Sequence, residues 1–193
     1  MNELESNPWK TLKTKEVFES PWIKVIKNEV LNPAGRAADY NYVHFKNLAI
    51  GVIAMDSDKN IWLVGQFRYP INVYSWEIPE GGGKLDIHPV ESAKRELMEE
   101  TGIVAESFTE ILKMHLSNSA TDEKSITYLA TGLSFEEPRP EESEVLQIKK
   151  IPFPEAFEWV INEKITDAIS VASILKLKWM EDSGMLSKLL KQT

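Results

Sequence analysis

The sequence predicts an α/β (α+β) fold, a mixed β-sheet flanked by helices and preceded by a small antiparallel sheet. Three observations carry this. Alternating apolar runs separated by turn residues occupy the first 45 positions, longer apolar runs follow, and helical periodicity enters at Pro89 and dominates the end. With 193 residues, 42% of them hydrophobic, the chain can bury one sizeable core. The expected organisation is an extension over residues 1–46 and a main domain over 47–193.

Trp22-Ile23-Lys24-Val25-Ile26 and Tyr40-Asn41-Tyr42-Val43-His44-Phe45 alternate as half-buried strands do, with turn chemistry between them at Asn32-Pro33-Ala34-Gly35. Leu48 to Ala54 is nearly continuous apolar, which suits a strand covered on both faces. After the turn Asp56–Asn60, Ile61 to Arg68 reads as the next strand, and Pro79 to Gly83 as a loop. Pro89 to Thr101 predicts a helix, because proline suits a first turn and Gly102 suits a stop. Val90, Ala93, Leu97 and Thr101 would face its core side. Phe108–Met114, Ser125–Ala130 and Val145–Ile151 read as strands. Glu155–Asn162, Thr166–Met180 and the tail from Met185 read as helices.

Composition narrows the function. The formal net charge is -8, which argues against a nucleic-acid partner. It does not argue against a phosphate substrate, since bound divalent cations invert the local sign. With no cysteine, thiolate metal sites and cysteine nucleophiles are excluded. The first residues lack a signal-peptide pattern and no stretch is apolar enough to span a bilayer, so the expectation is a cytoplasmic protein without a membrane partner. His44, His88 and His115 have no ligand spacing and are expected to be structural.

Glu96, Glu99 and Glu100 stand at i, i+3 and i+4, on one side of the predicted helix. Such a run by itself usually marks a solvated face. Three like charges at a helix C-terminus also oppose the macrodipole, a liability that a hard divalent cation would turn into a site. The flanks favour the cation: Gly81-Gly82-Gly83 lies upstream, Arg95 precedes the carboxylates and Gly102 follows them.

At these residues the chain resembles the Nudix hydrolases, whose box reads G-x5-E-x7-R-E-U-x-E-E-x-G-U with U bulky and aliphatic. Gly81, Arg95, Glu96, Leu97, Glu99, Glu100, Gly102 and Ile103 are in register. Gln66–Pro70, Ser75–Gly83 and Trp159–Ala168 resemble the branch that hydrolyses nucleoside diphosphate sugars and ADP-ribose. The resemblance implies a Nudix-type mixed sheet sandwiched between helices. It also implies a homodimer in which the N-terminal sheet exchanges between subunits and helps form the nucleotide pocket. Trp9, Trp22 and Phe45 are candidates for buried contacts there. One box position departs: Ile87 stands where the family has a glutamate that holds the arginine and the loop. Asp86, one residue away, is the expected substitute, so Asp86→Ala would lower activity.

Carried over by position, Glu96 and Glu100 are the main metal ligands, Glu99 assists and the Glu80 carbonyl completes the shell. The cofactor the resemblance implies is Mg2+, with Mn2+ as a substitute. Glu142 is the candidate base, Glu141 the alternative, and Glu144 a further ligand. Arg95 belongs to the catalytic set. Arg68 suits a phosphate clamp, because a guanidinium offers paired donors. Tyr69, Trp76 and Glu77 are the other substrate-binding candidates, although a tryptophan here is more often core.

The expected reaction is hydrolysis of the pyrophosphate bond of a nucleoside diphosphate sugar, giving a nucleoside monophosphate and a sugar phosphate. Relatives dedicated to ADP-ribose carry a proline beyond the box, and Leu116–Glu123 has none, so a broader or different preference is expected. Two other readings stay open: a non-catalytic nucleotide-sugar sensor on the same fold, and an enzyme acting on dinucleotides or RNA caps.

Overall fold

The computed structural model describes residues 5–139 and 145–190. They form two compact units. One ends at Asn47 and also takes in Ser117–Glu123; the other comprises Leu48–Leu116 and the chain from Lys124 onward.

The first unit is an antiparallel sheet of β1 (Lys10–Glu19), β2 (Ile23–Leu31) and β3 (Ala37–Phe45), in that order. β2 buries Ile26 and Val30, whereas β1 leaves all ten of its residues exposed. Asn32 builds the expected turn by accepting from the amides of Ala34 and Arg36, and Gly35 supplies the positive φ the turn requires. Ser117–Glu123 docks on β3. The Val43 amide donates to the Ala120 carbonyl, His44 Nδ1 meets Asp122 Oδ2 at 2.6 Å, and the Phe45 amide donates to Asp122 Oδ1 at 2.9 Å.

The second unit has a four-stranded sheet ordered β7 (Glu80–Lys84), β4 (Asn47–Ala54), β9 (Lys124–Phe135) and β8 (Ile103–His115). It is mixed, because β4 runs parallel to β9 and β8 antiparallel to it. A second, antiparallel sheet is ordered β10 (Gln147–Pro152), β5 (Asn60–Arg68) and β6 (Val73–Glu77). The helices are α1 (Pro89–Thr101), α2 (Phe153–Ile161), α3 (Ala168–Asp182) and α4 (Met185–Leu189).

β4 is covered on both faces, as its continuous apolar run requires. Ile50, Val52 and Ala54 pack with Ala93 and Leu97 of α1. Ile53 and Met55 pack with Phe153 of α2 and with Ile169, Ile174 and Leu177 of α3. The sheet is therefore sandwiched between helices. Pro89 and Gly102 bound α1 as expected, Gly102 with φ 71° and its amide on the Met98 carbonyl.

One element differs from expectation in kind. Gly81-Gly82-Gly83 belongs to strand β7 and not to a loop, and none of the three has a positive φ. These glycines serve close approach: a Cβ on Gly83 would come within 2.8 Å of the Ile50 side chain. No described helix is long and apolar enough to cross a membrane.

Candidate metal and phosphate site

On α1 the carboxylates do not form a solvated face. Glu96 and Glu100 are 8% and 2% exposed, and only Glu99 is half-buried. The helix turns them against Glu77-Ile78-Pro79-Glu80-Gly81, which links β6 to β7. The Glu80 amide donates to Glu100 Oε2 at 2.9 Å. Gly81 lies so close to Glu96 that a Cβ there would collide with the carboxylate. Only glycine lets the backbone come this near, which is what a main-chain ligand beside a side-chain ligand demands.

Arg95 is held without the missing box glutamate. Its Nη2 donates to the Gly82 carbonyl at 2.8 Å and to Glu96 at 2.6 Å, and its Nη1 donates to Glu99 at 2.6 Å. Ile87 and Asp86 are both exposed, and Asp86 takes no part in these bonds. The expected substitution by Asp86 is therefore corrected: the β7 backbone and two carboxylates of α1 orient the arginine.

Behind this lies a second group of charges. Arg68, at the end of β5, donates from Nε to Glu77 at 2.9 and 3.1 Å, from Nη2 to the same carboxylate, and from Nη2 to Glu80 at 2.9 Å. Its Nη1 makes no hydrogen bond among the described residues. Glu77 is 2% exposed, and both of its oxygens accept from Arg68. Asp167 closes the group: Glu77, Glu80 and Asp167 each offer one oxygen, all within 4.8 Å of one another. Burial, and then the neighbouring carboxylates of Asp167 and Glu77, push the Glu80 carboxyl well above its ordinary range, while Arg68 pulls it down. Glu80 Oε2 is buried without a hydrogen-bond partner among the described residues.

Asp167 is absent from the candidates read from the sequence. A local signal was present, since an aspartate immediately before an apolar helical run is an N-cap. Its Oδ2 accepts from the Ser170 amide at 2.7 Å, and α3 starts after it rather than at Thr166.

Trp76 and Tyr69 take no part in these bonds. Residues alternate across β6, so Trp76 points away from the face that Glu77 and Arg68 share. It meets Trp159 at 5.9 Å and Tyr74 at 5.7 Å between ring centroids, packed against the larger core. This is the core packing that a tryptophan in such a strand more often takes. Tyr69 is 88% exposed in the β5–β6 turn. Glu141, Glu142 and Glu144 lie outside the described residues.

The donor set suits a hard divalent cation: buried carboxylate oxygens from α1 and a main chain brought close by Gly81. Around them stand Arg95 and Arg68, two fixed guanidinium groups of the kind that match phosphate oxygens.

Comparison with known proteins shows the family and the fold. Residues 45–170 match the NUDIX domain, and residues 9–43 match the nucleoside diphosphate sugar hydrolase N-terminal domain. The chain belongs to the Nudix family. It is 30% identical to an ADP-ribose pyrophosphatase of Bacillus subtilis, over 89% of this chain and 94% of the relative. It is 29% identical to a methanol dehydrogenase activator of Bacillus methanolicus, again over 89% and 94%. A crystal structure of an ADP compounds hydrolase superposes with a TM-score of 0.78 at 20% identity, covering 91% of this chain and 96% of that one, which shows the shared fold.

Proposed function

We propose that the chain hydrolyses the pyrophosphate bond of nucleoside diphosphate sugars, ADP-ribose among them, in a Mg2+-dependent reaction that yields a nucleoside monophosphate and a sugar phosphate. The observation that carries this is the burial of Glu96 and Glu100 against the Glu80–Gly81 backbone, a set of oxygens with no use in a solvated helix. The names of the relatives supply the substrate class.

Glu96 and Glu100 would hold the metal, with Glu99, the Glu80 carbonyl and Glu144 as further ligands. Bound Mg2+ supplies charge neutralisation and an acidified water. The chain's own residues do the positioning. Arg95 fixes the Gly82 backbone and the rotamers of Glu96 and Glu99. Arg68, braced by Glu77 and Glu80, arrives pre-oriented with Nη1 left to donate to a phosphate oxygen. Glu142, or Glu141, would take the proton from the attacking water, and the Tyr69 ring would cover the bound nucleotide. Residues 1–46 act as a dimerisation module for a second copy of this chain. β1 supports this, because it exposes Leu12, Val17 and Phe18 along a strand with no buried residue.

The test is incubation of purified protein with Mg2+ and a panel of nucleotide sugars, ADP-ribose, dinucleotides and capped RNA, with product identification and light scattering for mass. Nucleoside monophosphate released from the nucleotide sugars is the expected result. Binding without cleavage across the panel favours a sensor instead.

A further inference from the structure

We infer that Ser170, outside the Nudix box, is a positioning residue for the metal site, acting through the backbone of Ile78. The inference rests on the metal-binding part of the function proposed above.

Residues 77–81 carry what the site needs from main chain: the Glu80 amide on Glu100, and Gly81 against Glu96. Besides the pairing of Glu77 with Val64 of β5, three attachments to other elements hold this segment ahead of Glu80. Glu77 is held by Arg68 through its side chain. The Pro79 carbonyl accepts from the Val52 amide of β4 at 2.8 Å. The Ile78 amide donates to Ser170 Oγ at 2.9 Å. The last is the sole hydrogen bond among these from a side chain to the segment's own backbone. Ile78 and Ser170 are both fully buried, so water cannot replace it.

The serine is fixed in turn. Its own amide donates to the Asp167 carboxylate, which caps α3 and lies with Glu77 and Glu80 beside Arg68. A chain of bonds therefore runs from the α3 N-terminus through Ser170 and Ile78 to the Glu80 backbone, two residues on. Pro79 between them has a ring-restricted φ, so a displacement at Ile78 passes on to Glu80 with little absorbed.

Ser173 provides the control. It lies on the same helix, is equally buried and makes an equivalent bond, to Thr127 Oγ1 at 2.9 Å. That bond ends on β9 and leaves the 77–81 segment untouched.

The experiment compares Ser170→Ala, Ser170→Thr and Ser173→Ala with the wild type in the full chain. Mn2+ binding is titrated by electron paramagnetic resonance without substrate, thermal unfolding is followed in EDTA, and kcat and KM are measured at saturating Mg2+. Alanine is a good helix former, so both alanine variants are expected to fold. Ser170→Ala is expected to weaken Mn2+ binding about tenfold, because a buried amide loses its acceptor. Its kcat falls with it, and KM holds. Ser170→Thr keeps the hydroxyl and retains wild-type Mn2+ affinity, even where its added methyl lowers the melting temperature. Ser173→Ala lowers the melting temperature and leaves Mn2+ binding unchanged. Equal Mn2+ affinity in Ser170→Ala and wild type overturns the inference, and so does an equal loss in Ser173→Ala. Because the Mn2+ titration needs no turnover, a wild type that binds Mn2+ but cleaves nothing overturns the proposed reaction and leaves this inference standing.

Discussion

Replacing Arg68 by alanine separates its two tasks, holding buried charge and receiving phosphate. Without the guanidinium, Glu77 and Glu80 face Asp167 with no counter-charge in the group. Breaking a buried ion pair costs about 3–5 kcal/mol. The Arg68 side chain is 35% exposed, however, so water would enter the gap, and a loss of about 2–3 kcal/mol is the better expectation. At about 2–4 °C per kcal/mol for a chain of this size, the melting temperature falls by about 4–12 °C. Urea unfolding in EDTA measures this, and the cycle with Glu77→Gln assigns it. Once Glu77 is neutral, removing Arg68 should cost at most about 1 kcal/mol. The catalytic task is read from kcat/KM, which should drop at least tenfold if Nη1 donates to phosphate, on the order of a charge-assisted hydrogen bond. A stability change below about 0.5 kcal/mol, or strict additivity in the cycle, would refute the bracing role.

Other substitutions probe the rest of the site. Glu100→Gln should weaken Mn2+ binding and lower kcat/KM by about 100-fold or more, checked by titration and steady-state rates; unchanged metal affinity would remove Glu100 from the ligand set. Glu80 binds its proton more tightly folded than unfolded, so its stabilising contribution is complete below the ordinary glutamate range and is lost as pH rises through the elevated folded value. Melting curves of metal-free protein should therefore decline with rising pH, and Glu80→Gln should flatten that decline; parallel profiles would contradict it. Trp76→Ala should cost about 3 kcal/mol in unfolding experiments while KM stays constant. Asp86→Ala should leave turnover and metal affinity at wild-type values, since the bonds that orient Arg95 go to Gly82, Glu96 and Glu99.

Legibility followed the range of the interactions. α1 could be read residue by residue, because helical spacing, a proline start and a glycine stop are local. β4 could be read as doubly covered from its unbroken apolar run. The triple glycine could not be assigned locally, since glycine suits a turn and a closely packed strand equally well. Whether Gly81–Gly83 pairs depends on β4 lying alongside, and no window of sequence contains that.

The acidic helix and its glycine partner, with the spacing of Gly81, Arg95, Glu96, Glu99 and Glu100, were determined by the sequence alone, because a helix converts spacing into direction without help from elsewhere. Tertiary structure alone decided what those groups face. The β5–β6 register sends Glu77 toward Arg68 and Trp76 to the opposite face. The packing of α3 brings Asp167 and Ser170 to a segment some ninety positions earlier in the chain. Such convergence depends on how two sheets and a helix bury their apolar faces against one another, a property of the whole core.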